Sequence, residues 1–403
     1  MPALVPFRAL RPEPASAGQV AAVPYDVVNR DEAAALASGA PLSFLHVSRA
    51  EIDLPPDANP YGDAVYARAV SNFDALKAAA PLVMEDRPSL YVYRLRMGQH
   101  EQTGVAACFL VDDYDRDVIR KHERTRRDKE DDRTRHVVTL RAQTGPVFLT
   151  YRASAAVDGA VASATRREAL FDFTAVDGVR HTVWKVEPEE QTALIAGFAA
   201  IDALYIADGH HRAASAARAR RELAQSSAPE ADSFLAVAFP DAQMQILPYN
   251  RLIKDLGTHS TESLLRELRA RFAVTDGAPA PSRRGLVAMY LAGRWYTVAL
   301  GDPPAGLGPA DRLDVSRLQE AVLTPLLGIG DARTDKRIDF VGGSRGTSAL
   351  EAAVNSGGAA VAFAMHPVGV DDLMAISDAG GIMPPKSTWF EPKLRDGLLT
   401  HLI

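Results

Sequence analysis

A mixed α+β fold in two parts is what this sequence predicts, and three observations carry the prediction. Its 403 residues exceed what one ordinary core accommodates. Short apolar runs of β character, such as VAACFLV and FLAVAFP, lie between stretches of helical period such as ESLLRELRARF. The strands do not alternate one to one with helices. PVFLTYR with TVWKV, and the two halves of VAMYLAGRWYTVAL, read as hairpins, which favours α+β over a doubly wound parallel sheet. Thr275 to Gly285 (TDGAPAPSRRG) is rich in Pro, Gly and Ala and is the best boundary signal. It predicts an N-terminal α+β domain over 1–270 and a smaller α/β domain over 271–403.

Composition narrows the class. An apolar fraction of 47% and a charged fraction of 24% belong to a folded chain, and no run of about 18 uncharged apolar residues is there to cross a bilayer. The opening MPALVPFRALRPEP carries prolines where an export signal needs an apolar helical core, so a cytoplasmic location without membrane contact is expected. The lone Cys108, in VAACFLV, rules out an internal disulfide and a cysteine-based metal cluster, and reads as a small buried hydrophobe. A net charge of −6 argues against a broad nucleic-acid surface, and no basic helix-turn-helix stands out.

Taken in order along the chain, VAAVPYDVVNRDEAAAL places Asp26 in a turn ahead of a helix that Asn29 would cap. Asp26 is a candidate general base, or else a turn carboxylate satisfied by nearby backbone. Asp112 to Pro146 is dense in charge. Read as a helix, it would be laced by Glu123, Arg126, Arg127 and Glu130 at i, i+3 and i+4. Read as a site, its Lys121, His122, Arg126 and Lys129 could hold phosphate oxygens or an amino acid's carboxylate, with Glu123 as a base. No HExxH spacing occurs there, which argues against a zinc protease.

The central stretch is ALYIADGHHRAASAARA, residues 203–219. LYIA reads as an inner strand and AASAARARREL as a helix, so Asp208, Gly209, His210, His211 and Arg212 fall at the strand-to-helix turn. Free amides and the dipole at a helix start attract anions, and Gly209 lets a ligand approach the backbone closely. Arg212 adds a forked donor, and either imidazole adds a hydrogen bond. Asp208 either caps the helix or holds a magnesium ion that bridges phosphates. Further on, GGSRG in Ile338 to Val354 precedes a helix but lacks the Lys-Ser/Thr ending of a P-loop. Gly381 to Gly397 (GIMPPKSTWFEPKLRDG) presents Lys386 on a Pro-Pro turn, either reaching a phosphate or pinned by Trp389 and Phe390. No GxSxG occurs, so a serine hydrolase of that design is unsupported.

ADGHHR, with VPYDVV, FLHVSR, KHERTRRDKEDDR, QTGPVF, LPYNR, RIDFVGG and MPPKSTWFEPKL, resembles from end to end a widespread bacterial family of conserved proteins of unknown function. The family has been linked to ATP-dependent phosphorylation of free L-serine. The DGHHR turn also looks like the phosphate-binding motif of archaeal free-serine kinases, which share a ParB/sulfiredoxin-like fold. The resemblance therefore implies a nucleotide-binding core of that kind, ATP or ADP with Mg2+ as cofactors, and phosphate contacts from Asp208, Gly209, His210, His211 and Arg212. Those kinases use a glutamate as base on the serine hydroxyl. No glutamate occupies the matching position here, so Asp26 and Glu123 stand in, with His210 beside them. Phosphoryl transfer asks a protein mainly for positioning and charge stabilisation, which these residues can supply. Two other readings stay open: a nucleotide-binding switch of ParB-like type without kinase activity, and a transition-metal centre at Asp208, His210 and His211. The oligomeric state, with a homodimer among the alternatives, is not encoded in any motif.

Overall fold

A computed structural model describes residues 1–79, 82–226 and 228–403, and it is α+β, with several sheets. The chain divides into two compact units. The first comprises Met1–Lys121, Thr125–Met244 and Pro392–Ile403, and the second His122–Arg124 and Gln245–Glu391. The expected join at 270/271 falls inside the second unit. There the Pro- and Gly-rich 275–285 stretch joins strands Ala273–Asp276 and Leu286–Leu291 of one sheet instead of two domains.

The first unit is built on a nine-stranded sheet: β1 (Leu4–Val5), β2 (Tyr91–Met97), β3 (His100–Leu110), β4 (Ile119–Arg120), β5 (Val147–Tyr151), β6 (Phe171–Thr174), β7 (Arg180–Lys185), β8 (Leu204–Asp208) and β9 (Ser233–Pro240). Their order is β4-β8-β5-β9-β3-β2-β7-β6, with β1 also paired to β3. Only β4–β8 and β5–β9 are parallel. The hairpin expected between PVFLTYR and TVWKV does not form. β5 lies between β8 and β9, while β7 pairs with β2 and β6, because the helices Ala155–Ala164 and Pro188–Ala199 carry the chain across the sheet. Val105, Ala107, Leu149, Ile206 and Ala236 alternate along their strands and meet those helices in one core. Cys108 is fully buried, as expected of a small hydrophobe.

Two helices matter for the site, α1 (Arg127–Leu140) and α2 (His210–Leu223). The charged stretch beginning at Asp112 is not one helix. It breaks into a short helix, Val111–Asp115, the strand β4 and a loop, so Glu123 and Arg126 do not share a helical face. α2 is lined with alanines. Ala213, Ala216 and Ala217 enter the sheet core, and small side chains let the helix also lie on α1, where Ser215 Oγ donates to Glu130 O at 3.4 Å and Arg218 pairs with Asp131 at 2.6 Å.

A smaller sheet orders Val83–Met84, Ala9–Arg11, Thr400–Leu402 and Ala142–Gln143, so residues that follow the second unit in sequence complete the first. The helix after Asp26 starts as read from sequence: Asn29 accepts from Glu32 N, and Glu32 accepts from Asn29 N.

The second unit holds a six-stranded sheet. Its Leu286–Leu291/Arg294–Ala299 hairpin is the one expected from VAMYLAGRWYTVAL, turned by Ala292 and Gly293 at φ 48 and 79. Among the described residues no helix is long and apolar enough to cross a membrane.

Candidate site at the end of the inner strand

The strand β8 is buried along Leu204–Ala207, and its register against β5 shifts between Ile206 and Asp208. Such a bulge re-aims the side chain that follows. Asp208 is thereby delivered at the end of the strand rather than into the core. Gly209 alone makes the turn, at φ +90, and a Cβ there would sit 3.2 Å from the Arg212 guanidinium. Glycine is needed twice over, for the left-handed backbone and for the close approach. The helix begins at once, so His210, His211 and Arg212 form its first turn rather than a loop before it. Asp208 precedes the cap position, and its Oδ1 accepts from Gly209 N at 2.8 Å.

Arg212 is the hub. Its side chain is 9% exposed and donates from one terminal nitrogen to Pro146 O. The other lies 3.4 Å from Asp26 Oδ2 and 3.9 Å from Asp208 Oδ2. Its Nε is buried with no hydrogen-bond partner. Lys393, from the segment that returns to the first unit, donates from Nζ to Asp208 Oδ2 at 2.8 Å, its side chain 10% exposed. Burial would raise the Asp208 carboxyl, but Lys393, Arg212 and the Gly209 amide outweigh it and hold the group well below the usual carboxylate range.

Beside this pair, Arg133 of α1 stacks over Tyr25 at 4.2 Å and donates to Asp132 at 2.9 Å, while Tyr66 donates its hydroxyl to Asp132 at 2.8 Å. Arg133, Arg212 and Lys393 thus balance Asp26, Asp132 and Asp208. That leaves Asp396, 2% exposed, as the surplus carboxyl. Burial raises it to about 7, Asp26 adds to the rise, and Arg212, Arg133 and the Tyr25 amide oppose it. Tyr25, Arg133, His136, Gly145, Arg212 and Asp396 line a small, partly open cavity of about 40 Å³.

The structure therefore joins Asp26, Asp208, Gly209 and Arg212. It sets His211 next to Arg126, whose backbone N–H donates to His211 Nε2 at 2.9 Å, so the proton of the neutral ring sits on Nδ1. His210 is buried at the first helical position. The basic segment is engaged elsewhere. The Arg126 guanidinium pairs with Asp128, Lys129 Nζ donates to Tyr61 Oη at 2.8 Å, and Lys121 Nζ donates to Tyr114 O at 2.7 Å while pairing with Asp117. His122, Glu123 and Lys386 belong to the second unit, where Lys386 sits over the Tyr249 ring at 5.5 Å. The first two glycines of GGSRG are packing glycines, and the third, Gly346, turns the chain at φ +67. A Cβ at Gly342 would meet Trp389 at 2.6 Å, and one at Gly343 would meet Leu247 at 2.7 Å.

Sequence reasoning passed over Lys393 and Asp396 in favour of Lys386. A signal was present: three charged residues, Lys393, Arg395 and Asp396, sit just ahead of LLTHLI, a run that reads as a buried strand. All of 390–401 is buried.

By fold and site this is an α+β protein with a buried, charge-balanced corner at the end of an inner strand. The chain belongs to the protein family of unknown function DUF1015, which matches residues 4–316. No curated protein sequence matches it significantly. Solved structures that are similar include a conserved hypothetical protein from Pyrococcus furiosus, at 15% identity and TM-score 0.36, covering 74% of this chain and 95% of that one. A mutant free serine kinase in complex with AMP is 13% identical at TM-score 0.36, over 73% of this chain and 92% of that one. C-terminally truncated SbnI from Staphylococcus aureus is 13% identical at TM-score 0.39, over 74% and 87%. These likenesses are remote, and the chemistry of the corner rests on its own residues.

Proposed function

We propose that the chain is a kinase that passes a phosphoryl group from ATP or ADP to the hydroxyl of a small metabolite, free L-serine being the first acceptor to test. The observation that carries this reading is Arg212, held nine-tenths buried in the first turn of α2 with its Nε unpartnered and with Lys393 and Asp208 alongside. A helix start offers amides that have no acceptor within the helix, and beside them a pre-aimed guanidinium and an ammonium form a donor set suited to phosphate oxygens. Because the two cations are already paired with carboxylates, the arrangement is ordered before ligand arrives and needs little reorganisation.

Asp208 fits a magnesium ion carried in with the nucleotide. Each of its oxygens accepts one hydrogen bond, from Gly209 and from Lys393, and keeps a lone pair. Magnesium is normally held by one or two carboxylates, with phosphate oxygens and water completing its shell. When bound it would neutralise phosphate charge. The cavity beside Asp396 is too small for a nucleoside, but an open groove of about 450 Å³ lies along α2, lined by Thr125, Arg127, Glu130, Arg218, Arg221 and Glu222. That volume is in the range of small-molecule sites. His211 and Arg218, seven residues apart, share the helix face that leads from the corner to the groove, a span of ~10 Å.

The test is direct. Purified protein is incubated with ATP or ADP, magnesium and L-serine, and O-phosphoserine is sought by mass spectrometry while nucleotide affinity is measured by calorimetry. Absence of nucleotide binding with any divalent ion defeats the proposal. Binding without transfer to any hydroxylated metabolite would favour a nucleotide-responsive switch instead.

A further inference from the structure

We propose that Asp396, rather than Asp26 or Glu123, accepts the proton of the acceptor hydroxyl. The inference rests on the phosphoryl-transfer reading above and adds the residue that reading lacks, a base.

Three features of the geometry point to it. First, Asp396 lines the small cavity together with Arg212, the hub of the phosphate-facing cluster, so acid and phosphate cation face one narrow space. Its volume of about 40 Å³ is far below that of ordinary small-molecule sites. A hydroxymethyl end of an acceptor fits, while a nucleoside or an aromatic ring does not. Second, Asp396 is rigidly held. It exchanges both backbone hydrogen bonds with Ala22, at 2.9 and 3.1 Å, and the next residue, Gly397, turns the chain at φ +84 where a Cβ would strike the Phe44 ring at 2.5 Å. Third, its Oδ1 has no hydrogen-bond partner and faces Gly145, where a Cβ would come within 2.5 Å.

Asp26, in contrast, is spent on Arg212 and is 34% exposed, open to water that would compete for its proton. The groups packed around Asp396 are Arg133 and His136 on α1, Arg212 on α2, and Tyr25 and Asp26 in the N-terminal loop. Of these His136 stays neutral, burial and Arg133 lowering it to about 3. Burial of Asp396 raises its carboxyl to about 7, which suits a base working near neutrality.

In the transfer step the acceptor O–H bond breaks and its proton passes to the ionised Asp396 carboxylate. The freed oxygen forms the new O–P bond as the bond from phosphorus to the nucleotide's bridging oxygen breaks, and the departing nucleotide takes that electron pair.

The experiment compares wild type, Asp396→Asn and Asp26→Asn for ADP affinity by calorimetry and for serine phosphorylation between pH 5.5 and 9, with melting temperatures to verify folding. Expected is a wild-type kcat that rises with pH through a midpoint near 7 and then levels off. Asp396→Asn should lose about 100-fold or more in kcat with ADP affinity kept. Asp26→Asn should be weakened yet keep a pH limb, moved to lower pH because the Asp26 charge that helps raise Asp396 is gone. If Asp396→Asn does not fold, the pH limb in wild type and Asp26→Asn decides. Active wild type with no limb near 7, a limb that vanishes with Asp26, or an Asp396→Asn that keeps more than a third of kcat overturns the base assignment alone. Wild type that binds ADP and transfers nothing overturns the kinase reading and this step with it.

Discussion

The corner at 208–212 has two charged side chains in five residues and the basic segment at 121–129 has seven in nine, yet it is the sparser stretch whose cation the fold buries. In the segment Arg126 and Lys121 reach solvent or near neighbours. The Arg126–Asp128 pair is 58% and 50% exposed, and Lys121 closes on Asp117 four residues back. In the corner the guanidinium is 9% exposed, and its partners come from positions 26 and 146, with Lys393 meeting Asp208 across 185 residues of sequence. An exposed ion pair contributes at most about 1 kcal/mol, whereas breaking a buried one leaves a stranded charge that costs several. The density of charge is therefore a poor guide to chemistry. Its burial against partners remote in sequence is the better one.

That contrast can be broken most severely at Arg212. Arg212→Met leaves Asp26 without its cation and Asp208 with Lys393 alone, and should cost about 3 kcal/mol in urea denaturation, together with most of the nucleotide affinity seen by calorimetry. Gly145→Ala comes next, since its Cβ would meet Asp396 Oδ1. Overpacking of that kind costs about 1–3 kcal/mol, and a melting curve reads it. Gly209→Ala should cost about 1–2 kcal/mol through its left-handed backbone, with a parallel loss of ADP affinity because the added methyl displaces Arg212.

The two unlike carboxyls of the first unit sharpen the comparison through pH. Asp208 is depressed in the folded state, so the stability it adds is complete above the unfolded value of about 3.9 and fades as pH falls toward its folded value. Asp396 is raised, so folding loses stability as pH climbs from about 4 to about 7, then levels off. Urea midpoints across that window should slope downward in wild type and flatten in Asp396→Asn. Smallest of all, Lys129→Ala and Arg126→Ala should each stay within about 0.5 kcal/mol of wild type and leave ADP affinity within about twofold. A large loss at either would mean that the exposed segment, not the corner, carries the ligand.

What was legible in the sequence was local. The Asn29 capping box, the Ala292-Gly293 hairpin and the strand-to-helix turn at Gly209 depend on residues within a few positions of one another, and each stands where the pattern puts it. What was not legible is set by pairing across long separations. β5 and β7 are both short runs rich in β-branched and aromatic residues, but nothing in PVFLTYR says that its neighbours are 204–208 and 233–240. The corner was half readable for the same reason. DGHHR announces itself, while the lysine and carboxyl that complete it sit in a stretch whose prolines and aromatics drew attention to Lys386. The boundary was misplaced because a Pro-rich connection inside a sheet and one between units have the same composition.

The order in which the chain is made carries a further consequence. The counter-ion of Asp208 and the strand Thr400–Leu402, which lies between Ala9–Arg11 and Ala142–Gln143, are translated after the whole 245–391 unit. A ribosome adding about 5–20 residues per second must therefore hold the first unit unfinished for ~10 s or more while the second emerges. Until then the buried aspartate has no lysine and the small sheet has a gap. Nascent chains arrested before residue 393 should be open to proteases and chaperones in the region that later becomes the site.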